Sequence, residues 1–135
     1  LRDDLLDRGV MVETFETATS WSNLIALHTA VRAALPGVHA GAHVSHLYPT
    51  GASLYYTVLA AQDRADPAGQ WRALKATATE AILAAGGTLT HHHAIGRAHA
   101  PWLEREVGAT GIALLRALKR ECDPAGIMNP GKLLP

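Results

Sequence analysis

The stretch Ser45-His46-Leu47-Tyr48-Pro49-Thr50-Gly51-Ala52-Ser53-Leu54-Tyr55-Tyr56-Thr57-Val58 decides how the 135-residue chain is read. Tyr48-Pro49-Thr50-Gly51 has turn chemistry, and extended, β-branched and aromatic residues lie on either side of it. Two strands joined as a hairpin are expected, one over Val38 to Leu47 and one over Ala52 to Ala61. In the second strand Leu54, Tyr56 and Val58 share one face, and Tyr55 and Thr57 share the other. The two tyrosines therefore point opposite ways.

Upstream, residues 2–8 read as the end of a helix stopped by Gly9, which enters a left-handed cap without a Cβ penalty. Val10-Met11-Val12-Glu13-Thr14-Phe15-Glu16 reads as a strand with imperfect alternation. Thr19 or Ser20 is placed to cap a helix in which Leu24, Leu27, Val31 and Leu35 recur at three- and four-residue steps, until Pro36-Gly37 ends it. Downstream, residues 67–85 form the longest expected helix, with Trp71, Leu74, Ala78 and Ile82 on one stripe and Gly86-Gly87 as its stop. A short strand, Thr88 to Thr90, leads into His91-His92-His93. Pro101 suits a helix start, with Glu104 and Glu106 near its positive end, and Gly108 breaks it. A last helix over about 110–121 aligns Leu114 or Leu115 with Leu118 and Cys122, and Asp123-Pro124 ends it. This order implies an α+β fold, an antiparallel sheet with helices packed on one face.

Nearly half of the side chains are apolar, enough for one compact domain over residues 1–135. Twelve Lys and Arg balance twelve Asp and Glu, so there is no basic field for nucleic acid. No apolar run reaches the length of a transmembrane segment, and no signal peptide is legible. Cys122 is the single cysteine, which rules out an internal disulfide and fits a reducing, cytoplasmic setting. The chain opens on Leu1 and reads as a piece of something longer. Its preference for Arg over Lys, with abundant Ala and Gly, matches GC-rich bacterial coding.

Three consecutive imidazoles after a strand are hard to explain by packing. If extension persists, His91 and His93 point together and His92 away. Such rings suit a phosphate- or carboxylate-bearing substrate, because they donate, accept or carry charge near neutral pH. A metal site drawing on His28, His39, His43, His46 or His99 matches no standard spacing, and none is assigned. Ordinary histidines without a role are the remaining reading. Ser45-His46 invites a hydrolase reading, but adjacent strand residues face opposite ways and are not expected to pair. No Gly-rich dinucleotide loop, phosphate-cradling loop or nucleophile elbow is present.

Taken in order, Leu1-Arg2-Asp3, Glu13-Thr14-Phe15-Glu16-Thr17 with Trp21, Ser45-His46-Leu47-Tyr48, Gly51 to Tyr56, Gly86-Gly87-Thr88-Leu89-Thr90-His91-His92-His93, and Asp123-Pro124 through Asn129-Pro130-Gly131-Lys132-Leu133 resemble a known pattern. It is that of the carboxy-terminal domain of the FAD-linked oxidase superfamily, in its alkyldihydroxyacetone-phosphate synthase branch. The resemblance implies a ferredoxin-like cap, or substrate-binding, domain. It also implies FAD as cofactor and an amino-terminal FAD-binding domain of the same polypeptide as partner, with residues 123–135 as an irregular tail returning to it. A homodimer is an assembly the resemblance allows. In the reaction it implies, an acyl dihydroxyacetone phosphate loses a proton at the ester-bearing carbon, which bonds to flavin N5 while a fatty alcohol replaces the acid. Tyr55 matches the proton-removing tyrosine, His91, His92 and His93 match active-site histidines, and Arg2 matches a site arginine. Asn129 and Lys132 are the cofactor-side residues the resemblance suggests.

A phenol of ordinary pKa near 10 needs nearby cations to act as a base. Arg2 and a charged histidine are the expected ones. Ala94 departs from the Gly usual after the histidines. The Glu of the metal-binding Glu-His-Gly turn in related 2-hydroxyacid dehydrogenases is replaced by His92. Two further readings stand beside the first: an FAD-linked dehydrogenase of a 2-hydroxyacid, and a non-catalytic ligand-binding domain.

Overall fold

The computed structural model describes residues 2–134. The chain divides into two compact units, residues 1–93 and 94–135, each taken by itself below.

In the first unit, α1 (Arg2–Asp7) ends at Gly9, whose φ of +79° is the left-handed cap conformation expected of it. β1 (Val10–Ser20) follows and runs four residues beyond the expected strand. Thr19 and Ser20 therefore belong to the strand. Ser20 precedes a 3₁₀ turn over Trp21–Asn23, and its side chain makes no cap hydrogen bond. α2 (Leu24–Ala34) buries Leu24, Leu27 and Val31, which recur at the helical period, and Leu35 just beyond it.

β2 (His39–Tyr48) and β3 (Gly51–Ala61) form the expected hairpin around Pro49-Thr50. β3 is central, so the strand order is β1-β3-β2 with both pairings antiparallel. α3 (Pro67–Ala84) starts from Asp66, whose carboxylate accepts the Gly69 N–H at 2.8 Å, with Pro67 in the first turn.

Helices α2 and α3 cover one face of the sheet. There Met11, Phe15, Leu54, Tyr56 and Val58 meet Leu27, Val31, Leu74, Ala78 and Ile82. Fully burying an aliphatic side chain such as Leu27 stabilises the fold by about 1.5–3 kcal/mol. Tyr56 is wholly buried and stacks on Phe15, with ring centroids 4.9 Å apart. Burial pushes its phenol up to about 12, against a smaller opposing pull from Arg32. Its hydroxyl meets His28 Nδ1 at 3.2 Å.

The α+β fold with helices on one face is thus observed, and the order β-α-β-β-α is that of a ferredoxin-like unit. Its fourth strand differs from expectation, since Thr88–Thr90 is not a strand and the sheet has three strands among the described residues. The segment still lies where that strand would be, along the free edge of β1, with Thr88 N–H donating to Ala18 O and His91 N–H to Glu16 O, each at 3.0 Å. Side chains replace the intervening ladder: Ala18 N–H donates to Thr88 Oγ1 and Thr17 Oγ1 to Thr88 O. Gly87 permits the approach, because a Cβ there would lie 2.6 Å from Thr17 Oγ1 and 2.9 Å from Ile82.

In the second unit a 3₁₀ turn over Ala100–Trp102, containing Pro101, leads into α4 (Leu103–Cys122). Gly108, at φ +73° and ψ +167°, interrupts α4 where a break was expected. Leu103 and Ile112 are the buried residues of α4, whereas Leu114 and Leu118 of the expected apolar stripe are exposed. Asp123 organises the irregular tail. Its buried carboxylate accepts the N–H groups of Ile127 and Met128, each at 3.0 Å, and pairs with Lys119. The Lys119 bond, offset in part by burial, and the two backbone donors hold this carboxyl below its usual range.

Candidate functional site

The helix-free face of the first unit carries the chemistry. Side chains alternate along a strand, so Glu16 on β1 and its cross-strand partner Tyr55 on β3 both leave the helix-covered face. Beside them, β2 has a bulge between Val44 and Leu47, where two residues, Ser45 and His46, oppose the single Ser53. The bulge overrides the alternation that was expected to keep Ser45 and His46 apart. Ser45 Oγ lies 2.9 Å from His46 Nδ1, and both converge on Glu16.

Glu16 is the centre of the site and was missed by the sequence reading. Only 2% of it is exposed. Oε1 accepts hydrogen bonds from Ser53 Oγ at 2.8 Å and from Ser45 Oγ, and faces His46 Nδ1 at 3.3 Å and His91 Nδ1 at 3.5 Å. Oε2 lies 3.1 Å from His92 Nε2 and 3.4 Å from His93 Nε2, ion-pair distances, and accepts no hydrogen bond among the described residues. Burial alone would raise this carboxyl. Hydrogen bonds from Ser45, Ser53 and His46, with the charge of His92, outweigh burial and hold it down to about 2.

All three histidines of the run turn toward one carboxylate, which corrects the expected alternation of His92 away from its neighbours. The backbone supplies the reason. His92 has φ +37° and Ala94 φ +65°, so the segment curls instead of extending. Left-handed non-Gly residues of this kind store about 1–3 kcal/mol each and persist where surrounding contacts hold them.

Tyr55 joins the same cluster. Its ring stacks on His43 at 5.3 Å and meets the edge of His93 at 5.4 Å. Tyr48 Oη lies 3.1 Å from His91 Nε2. The Tyr55 and Tyr48 phenols, the buried Glu16 carboxylate and the imidazoles of His43, His46, His91, His92 and His93 therefore share one surface. Arg2 is exposed on α1 and is not among the groups that contact Glu16 or Tyr55. Asn129 and Lys132 lie in the other unit, exposed on the tail, where Lys132 N–H donates to Asn129 O. Both border an open, mainly apolar hollow of about 1050 Å³ lined also by Leu115, Leu118 and Met128.

One ligand atom each from Glu16, His46, His91 and His92 lies within 4.8 Å of the others, a set able to hold a metal ion. No spacing rule could have found it, because its members come from three separate segments and one is a glutamate.

Such a cup on the open face of a ferredoxin-like sheet is equipped for proton handling on a small molecule. The model of the C-terminal domain of FAD linked oxidases matches residues 1–133, and the chain belongs to that family, whose cofactor is FAD. The alkyldihydroxyacetonephosphate synthases of Dictyostelium discoideum and Trypanosoma brucei brucei are each 35% identical to it over its whole length. The chain spans 23% of the length of either. An uncharacterized FAD-linked oxidoreductase of Escherichia coli K12 is 32% identical over 99% of the chain and 30% of its own length. A solved alkyldihydroxyacetonephosphate synthase superposes with a TM-score of 0.63 at 28% identity, covering 96% of this chain and 21% of that one.

Proposed function

We propose that this chain is the substrate-binding cap of an alkyldihydroxyacetonephosphate synthase-like flavoenzyme. In this reading an FAD-binding domain of the same polypeptide completes the site, and the enzyme exchanges the acyl group of an acyl dihydroxyacetone phosphate for a fatty alcohol. The observation that carries the reading is the Tyr55 phenol in edge contact with His93, beside a carboxylate faced by four imidazoles.

The donor set fits the reactive side of a flavin and not its diphosphate, since proton carriers are present and a glycine-rich phosphate loop is absent from this sequence. FAD, when bound, supplies an electron-accepting ring system next to the reacting carbon. Tyr55 would remove the proton from that carbon, held there by its place on the central strand. His92 and His93, partly exposed at the rim, would offer N–H groups and positive charge to the substrate's phosphate and ester oxygens. Arg2, Asn129 and Lys132 remain assigned by resemblance alone.

Tyr55→Phe in the full-length enzyme tests the reading. Exchange is expected to fall at least a hundredfold, in line with the loss of a general base, while the flavin spectrum is kept. Wild-type turnover by that variant would refute the base assignment. The similarity to an FAD-linked oxidoreductase supports a second reading, oxidation of a 2-hydroxyacid. Flavin reduction by such an acid would favour it over exchange.

A further inference from the structure

We infer that Glu16, His46, His91 and His92 form a binding site for one divalent transition-metal ion of the zinc type, on the helix-free face of the sheet.

One ligand atom from each of the four lies within 4.8 Å of the other three. His46 Nδ1 and His91 Nδ1 stand 3.3 and 3.5 Å from Glu16 Oε1, and His92 Nε2 stands 3.1 Å from Oε2. Donors held at about 2.0–2.1 Å around a tetrahedral ion are about 3.3 Å from one another, so these are the separations of a ligand shell. Hydrogen bonding does not account for them. Glu16 Oε2 and His91 Nδ1 are buried and have no hydrogen-bond partner among the described residues. The His92 nitrogen is close enough to bond Oε2, but its in-plane axis misses that oxygen. The lone pair of a ring nitrogen lies on the same axis, so the ring is aimed past the carboxylate as a fellow ligand is. One ion between these groups satisfies both orphaned atoms at once.

The surroundings support the ligands as a metal site requires. Ser53 Oγ and Ser45 Oγ donate to Glu16 and fix its carboxylate, and Tyr48 Oη lies 3.1 Å from His91 Nε2, the nitrogen left over when Nδ1 ligates. The bulge of β2 delivers His46, and the positive φ of His92 delivers two consecutive histidines to one point. Three imidazoles with one carboxylate suit zinc and its neighbours, whereas magnesium and calcium take oxygen ligands. The His46 and His92 side chains are 43% and 52% exposed, so the ion lies toward solvent and its coordination can open to an anionic oxygen of a small molecule, a phosphate or a carboxylate. His93 is not one of the four and stays in edge contact with Tyr55.

The site does not depend on the exchange reaction, and metal content is read without turnover, so the two can fail separately. Full-length protein stripped with a chelator and then dialysed against micromolar Zn²⁺ should retain about one equivalent by elemental analysis, with a shell of nitrogen and oxygen at about 2.0–2.1 Å and imidazole scattering in zinc-edge X-ray absorption. His92→Ala, at the half-exposed rim, should weaken zinc binding by at least the roughly tenfold that loss of a supporting partner already costs. Glu16→Gln should weaken it further; if that chain does not fold, His92→Ala decides alone. His39→Ala, an exposed position at the start of β2, should bind as wild type does. Failure of the wild-type protein to retain zinc, or unchanged affinity in His92→Ala, would overturn the assignment. Loss of zinc from His39→Ala would place the ion elsewhere and overturn it too.

Discussion

Glu16 and Tyr55 are direct cross-strand partners on β1 and β3, so the carboxylate at the centre of the cup and the proposed base are placed by sheet register. A slip of one residue in that register would put the two on opposite faces of the sheet. The register is held from the other side, where Phe15 and Tyr56 are paired and stacked in the core. Hydrophobic packing on one face therefore sets the geometry of the polar face.

Acid stability should report on Glu16. Its carboxyl is held down to about 2 from an ordinary value of 4.5. Protons therefore bind the unfolded chain more readily than the folded one. The stabilisation is present in full above the unfolded value and is lost as pH falls from there through about 2. Over that window the wild-type chain should lose about 3 kcal/mol more than Glu16→Gln does. Urea midpoints measured from pH 5 to pH 2 give the comparison. Parallel pH dependences in the two proteins would mean the native carboxyl is not depressed.

The other buried glutamate of β1 supports the opposite face. Glu13 accepts from Lys75 Nζ at 2.7 Å and from Trp71 Nε1 at 2.6 Å, and both partners lie on α3. Lys75→Met would strand the Glu13 charge in the core and should destabilise the fold by about 3–5 kcal/mol. Adding Glu13→Gln should recover most of that, since a neutral amide needs no counter-charge. Denaturant midpoints of the single and double variants decide it. A single variant within about 0.5 kcal/mol of wild type would mean the pair is solvated.

These two glutamates mark what was legible in the sequence. Alternation in 52–61 and helical spacing at Leu24, Leu27, Val31 and Leu74, Ala78, Ile82 located the hairpin, the two core helices and the core they share, because apolar periodicity is a direct record of burial. The same rule read β1 as irregular, since it assumes one buried face, whereas Glu13 and Glu16 are buried on opposite faces by polar partners. Ser45 and His46 were kept apart because a bulge leaves no mark in a period-two pattern. His92 was turned away because nothing in a histidine announces a positive φ. The role of Tyr55 came from family resemblance, whereas three consecutive imidazoles stood out from the residues alone. A strand acid flanked by Phe15 and Thr17 was the one available hint of Glu16.

Ala94 offers a test of the curled segment itself. With φ +65° it occupies the region where a Cβ crowds the following carbonyl, at a cost of about 1–2 kcal/mol for an L-residue. Glycine removes that crowding but gives the unfolded chain more freedom, worth about 0.4–1 kcal/mol in the other direction. The methyl group of Ala94 is exposed, so little packing is lost with it. Ala94→Gly should accordingly stabilise the protein by up to about 1 kcal/mol, or raise Tm by a few degrees. Ala94→Val should do the reverse, because a β-branched side chain tolerates a positive φ least. A fall in Tm on introducing glycine would show that the left-handed turn after the histidines is not where the chain bends.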